Sequence, residues 1–297
     1  MEKTAKVATI KPNTQDSEYA FLQKLTKDLA KAAITLSKNE VRFLVDYYYQ
    51  IQEYRKTAAS QVLALSESGE PNELVKFLFE NSAALETQIK RALDKYTANN
   101  AIGIWAREIT GIGPVFAAGL IAHIDIEKAP TAGHIWSYAG LNPEQVWEKG
   151  KKRPWNASLK TLCWKIGESF VKVSNNPKDV YGKLYQRRKA QEEEKNERLE
   201  FKDQAEKKIE MIKKNKVSWG SFQKTVSYID SYSKGKLSPD HIHSRAKRYA
   251  VKMFLSHLHA EMYRDHFHVE PPKPFAIEIL GHAHTIELDD LKIRSVK

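Results

Sequence analysis

Two short runs in this chain carry residue types suited to holding phosphate. The first, Ile109-Thr110-Gly111-Ile112-Gly113-Pro114, sets two glycines ahead of a proline. Glycine tolerates positive φ and close backbone approach, and Pro114 is preset for the first turn of a following helix. The run reads as a helix-hairpin-helix turn whose amides, from Gly111 to Val115, are placed to receive a backbone phosphate; the same pattern also arises for packing alone. The second run, from Trp147 to Trp155, places Lys149, Lys151, Lys152 and Arg153 between two indoles. The cations suit phosphate oxygens, and Trp147 and Trp155 suit stacking on unpaired bases. Core packing of the indoles is the alternative, because Pro154 and Asn156 also fit an ordered turn. Lys160 follows the loop, and Arg245, Arg248 and Lys252 line one face of a later helix with His241 and His259. These groups are expected to converge on one surface.

Metal chemistry has weaker support. Eight of the ten histidines fall in His-x-His pairs: His241/His243, His257/His259, His266/His268 and His282/His284. On a helix such partners point about 200° apart, so the first two pairs cannot chelate one ion there. His282 and His284 could share one side of a strand, but zinc also wants a third and usually a fourth ligand, for which Asp289 or Asp290 would have to serve. No metal and no other cofactor is expected. The single cysteine, Cys163, lies on the same helical face as Leu159, Leu162, Ile166 and Phe170, which marks a core residue in a reducing compartment.

A formal net charge of +11 and a pI near 9.4 favour a polyanionic partner over a neutral metabolite. No run of about 18 apolar residues and no signal-peptide pattern occurs, so no membrane partner is expected. The expected location is the cytoplasm of a prokaryotic or phage-infected cell.

Helices must position these groups, and the chain is read as mainly α. A polar leader and a first helix, Ser17 to Ile34, occupy residues 1–36. Residues 37–98 read as an antiparallel coiled-coil arm. Ser37 and Glu40 form a capping box before Val41, Leu44, Tyr48, Ile51, Ala58, Val62 and Leu65; after a polar turn from Ser66 to Pro71 the rhythm resumes at Val75, Leu78, Leu85, Ile89, Ala92 and Tyr96. The arm is expected to pair with a second subunit, or to pack only on its own body. Residues 99–180 hold the hairpin and a helix capped by Asn156, residues 181–238 a charged helical insertion of which Gln186 to Lys216 reads as mostly solvated, and residues 239–297 a basic helix and a proline-rich tail.

The stretches ITGIGPVFAAGLIAHI, IWSYAGLNP and NASLKTLCWKIGESFV together resemble the C-terminal domain of the bridge-RNA-guided insertion-sequence recombinases, relatives of the Nop domains of box C/D ribonucleoproteins. That resemblance implies a Nop-like helical domain with a coiled-coil arm beside it. Two departures are informative. The recombinases carry an N-terminal RuvC-like domain with four acidic metal ligands, whereas the sequence before this arm is too short and helical for one. Their serine nucleophile, directly before a glycine, is replaced here by Lys149 before Gly150, and an amine cannot form the serine-type link to DNA. Ser137 and Ser158 read as structural residues.

With those parts missing, the chain is similar to a nuclease-free member of the TIGR-associated (Tas) proteins. The resemblance implies a scaffold that binds a structured guide RNA, reaches target DNA through that RNA, forms a homodimer through the arm and has no catalytic residue. The rival readings are an atypical transposase or metal-dependent nuclease and a sequence-neutral DNA-binding architectural protein. A glycosylase is disfavoured because Asp125 comes too early, and an HNH nuclease because its ββ-metal finger needs strands.

Overall fold

The computed structural model describes residues 26–215 and 222–272. The leader, the start of the first predicted helix, and the tail with His282, His284, Asp289 and Asp290 lie outside the described residues. Among the described residues every regular element is helical, as the sequence predicts, and no helix is long and apolar enough to cross a membrane. The described residues form two compact units, the first comprising those up to Ile104 with Gly113–Asp125, the second Trp105–Ile112 with the described residues from Ile126 onward.

The first unit is built on the arm. After a short helix α1 (Lys27–Ala32), Ser37 caps α2 (Lys38–Ser68): its hydroxyl accepts from the Glu40 amide while the Glu40 carboxylate accepts from the Ser37 amide. Gly69, at φ +72°, ends α2 in the left-handed conformation. The chain then returns as α3 (Glu73–Ala98), which packs along α2. Arg55 and Gln52 of α2 both bond the Glu86 carboxylate of α3. The seam differs from the expected one. Phe79, Ala83, Ile89 and Leu93 are buried, whereas Leu78 and Leu85 face solvent. Helix α4 (Ala101–Glu108) leads to the glycine turn. Helix α5 (Pro114–His123) is apolar all round and buried from Ala117 to His123, packing on both α2 and α3. Small residues Ala117, Ala118, Gly119 and Ala122 allow the close approach, and Arg42 Nε donates to the Ala122 carbonyl at 2.9 Å.

The second unit surrounds a single long helix. Helices α6 (Ala132–Tyr138), α7 (Ala157–Val173) and α8 (Tyr181–Glu197) all pack on α11 (Pro239–Phe267). Trp105, Phe170, Tyr181 and Phe254 form a ring cluster in which Phe170 and Tyr181 stack at 5.0 Å and Phe254 meets both edge-on. Helices α9 (Lys202–Asn215) and α10 (Phe222–Ser233) close a smaller cluster of Phe201, Ala205, Tyr232, Leu237 and Ile242. From Gln186 to Ile212 most side chains are exposed, as expected, while Glu192, Asn196, Phe201 and Ala205 are buried. Tyr181, Leu184 and Tyr185 supply a buried face of α8, and the Asn196 amide both accepts from and donates to the Leu237 backbone.

Candidate nucleic-acid interface

The glycine turn divides between the two units, with Gly111 in the second and Gly113 and Pro114 in the first. Gly111 adopts φ +95°, and a Cβ there would lie 3.1 Å from Val173 Cγ2. Its carbonyl accepts from Ser169 Oγ at 2.7 Å. Gly113 differs from the expectation: it is extended, at φ −96° and ψ 177°, and a Cβ added there would meet nothing within 4 Å. Pro114 starts α5 as predicted.

Within the second unit Gly111 and the basic loop do not converge. Gly111 packs on the C-terminal turns of α7, whereas the loop precedes its N-cap, and α7 is 17 residues, about 25 Å, long. The expectation of one surface holding both fails because the same helix separates them.

The loop itself is ordered by its own tryptophans. Trp147 Nε1 donates to the Lys151 carbonyl, and Arg153 lies 5.4 Å over the Trp147 ring. Trp155 is half-buried against Gly140, another glycine at positive φ (+64°), where a Cβ would meet the indole at 2.8 Å. Lys160 Nζ covers the Trp155 ring at 3.9 Å. Asn156 is a cap rather than a ligand: its Oδ1 accepts from the Leu159 amide and its Nδ2 donates to Tyr138 Oη. Lys151 pairs with Glu148 at the surface, while Lys149, Lys152 and Arg153 have no ion pair among the described residues.

What the structure does bring together is Arg153 and Lys160 with Arg248 and Lys252 of α11. Burial lowers the Lys160 pKa, and Arg153 and Arg248 lower it further; burial and then Arg248 do the same to Lys252. These cations repel one another, and an anion placed among them relieves that repulsion. Trp136 belongs to the same surface, donating from Nε1 to the Lys252 carbonyl at 3.0 Å, with Lys252 Nζ 4.3 Å over its ring. Trp164, 58% exposed, stands one helical turn beyond Lys160 on α7. Sequence reasoning misses both indoles, although Lys160 and Trp164 share the α7 face opposite the apolar stripe, which is a readable signal.

Arg245 is engaged elsewhere. Its guanidinium bonds the buried Glu192 carboxylate at 2.6 Å and Gln204 at 3.2 Å, so it joins α11 to α8 and α9. The histidine pairs are split as helix geometry requires. His243 bonds Tyr185 Oη, His257 bonds Tyr181 Oη, and His259, expected on the basic face, is buried with Nε2 donating to the Ala129 carbonyl. Among the described residues no three His, Cys, Asp or Glu side chains gather as metal ligands. Cys163 is buried, which pushes its thiol pKa up to about 12.

Residues 106–156, which span the glycine turn, α5, α6 and the basic loop to Asn156, match the family model described as Transposase IS116/IS110/IS902 family. No curated protein and no solved structure matches the chain. The matched segment supports a relationship between this chain and transposases of that family.

Proposed function

We propose that this protein is a guide-RNA-binding scaffold of a ribonucleoprotein that reaches DNA through its RNA, with a Nop-like second unit and no nuclease or recombinase centre of its own. The observation that carries this reading is the group Arg153, Lys160, Arg248 and Lys252, in which burial and then Arg153 and Arg248 lower the Lys160 pKa and burial and then Arg248 lower that of Lys252, flanked by Trp136, Trp155 and Trp164. Cations without carboxylate partners suit a phosphate backbone, and indoles among them suit unpaired bases. The transposase-family match supports a nucleic-acid partner. Lys149, standing where the related recombinases have serine, supports the absence of strand transfer.

The arm is the proposed dimer surface. Leu74, Phe77, Leu78 and Leu85 share one face of α3 and are all exposed, a stripe suited to a second copy of the same arm.

The test is RNA retention and its salt dependence. Purified protein is expected to carry a discrete RNA species. Replacing Arg153, Lys160 and Arg248 together by alanine should weaken RNA binding and reduce the slope of log affinity against log salt by about 2 to 3. An unchanged slope contradicts the reading. The family match is also compatible with an atypical transposase. Cleavage or a covalent protein–DNA adduct on incubation with guide RNA, target DNA and divalent metal favours that alternative.

A further inference from the structure

Beside the cationic surface, α7, α9, α10 and α11 enclose an open cleft of about 360 Å³ lined by Trp164, Lys208, Tyr228, Tyr232, His241 and Arg248. Its walls combine one exposed aromatic face with charge of both signs. Trp164 offers that indole, and Lys247 Nζ lies 5.1 Å from its ring while bonded to Glu168. Tyr228 Oη donates to Asp240 Oδ2 at 2.6 Å, which fixes that ring, and Tyr232 beneath it belongs to the buried cluster. Arg248 is exposed and has no ion pair among the described residues.

We infer that this cleft receives one unpaired nucleotide of the bound RNA, with its base stacked on Trp164 and its phosphate held by Arg248. The inference rests on the RNA-binding reading above and adds a specific subsite to it. An indole beside a guanidinium matches the two parts of a nucleotide, a π-face and an anion. The Asp240 carboxylate repels phosphate and presents an acceptor to a base amino group, so the two parts of the ligand are told apart. His241 supports the assignment: burial, then Lys208, Arg245 and Arg248, push its pKa down to about 4, leaving a neutral ring able to accept as well as donate. An acidic peptide would use the cations but not the indole.

The experiment compares two RNA hairpins of equal length, one fully paired and one with a single bulged 2-aminopurine, against the full-length protein. The bulged hairpin should bind roughly tenfold to a hundredfold more tightly, the range expected of one base stacked on an aromatic ring. Its emission should change on binding. Trp164→Ala should remove the preference and the emission change, and Trp164→Phe should restore most of both. Equal affinity for the two hairpins, or a preference that survives Trp164→Ala, overturns the cleft while leaving the RNA surface standing. Equal weakening of both hairpins by Trp164→Ala also overturns it, since the indole would then serve the general surface. If the unaltered protein binds neither hairpin, the RNA-binding reading fails and the cleft assignment goes with it.

Discussion

At Gly111 the backbone takes φ +95° and carries Ser169 Oγ on its carbonyl, so an added methyl meets both an unfavourable torsion and Val173. Gly113 is extended, with open space where a Cβ would stand. Gly111→Ala should therefore lower stability by about 1–3 kcal/mol, whereas Gly113→Ala, at the N-cap of α5, should cost less than about 1 kcal/mol. Urea melts of the two variants check this, and equal losses would contradict the assignment. In the sequence the two glycines look alike. Which of them needs positive φ depends on Val173 and Ser169, some sixty positions away in the chain, and no local pattern carries that information. Asn156 shows the opposite case. A side chain that can accept from the amide three residues on, placed just before an apolar stripe, announces a cap, and the observed bond to Leu159 is that cap.

Among the elements, α11 shows where periodicity succeeds and where it stops. Its spacing puts Ala246, Tyr249, Ala250, Met253 and His257 on one face, of which Ala246, Ala250 and His257 are buried and Tyr249 and Met253 only partly, and groups Arg245, Arg248 and Lys252 on another face. Periodicity cannot say which of those cations already has a partner. Burial works against the charge of Glu192, yet the guanidiniums of Arg245 and Arg188 hold its pKa below the ordinary carboxylate value. Arg245→Ala leaves that buried carboxylate with Arg188 alone, and should cost about 1–3 kcal/mol of stability. Its salt slope for RNA should stay as in the unaltered protein. Arg248→Ala should do the reverse, with an unchanged melting temperature and a slope reduced by about 1. Thermal melts paired with binding at several salt concentrations separate the two, and a loss of slope with Arg245→Ala would return that residue to the interface. The arm shows a related limit. In Phe77-Leu78-Phe79 three consecutive apolar residues leave the heptad frame open, and the seam takes Phe79 rather than Leu78.

For the molecule as a whole, two compact units point to two separable tasks. The first unit carries the exposed α3 stripe of Leu74, Phe77, Leu78 and Leu85, and the second carries the cationic and aromatic surface. Self-association and RNA binding should then respond to different substitutions. Leu74 and Leu78 are 71% and 52% exposed, so replacing both with glutamate buries no new charge in the monomer and should leave helicity unaltered, while a seam formed by two such faces would hold carboxylates away from water. Sedimentation of the Leu74→Glu/Leu78→Glu protein should show a monomer where the unaltered chain shows a dimer, with the salt slope per subunit retained. Alanine at Arg153, Lys160 and Arg248 should leave the dimer intact and reduce the slope. A dimer that persists with both glutamates in place removes the arm from the assembly, because a buried self-complementary stripe could not accept two added charges from each copy without dissociating.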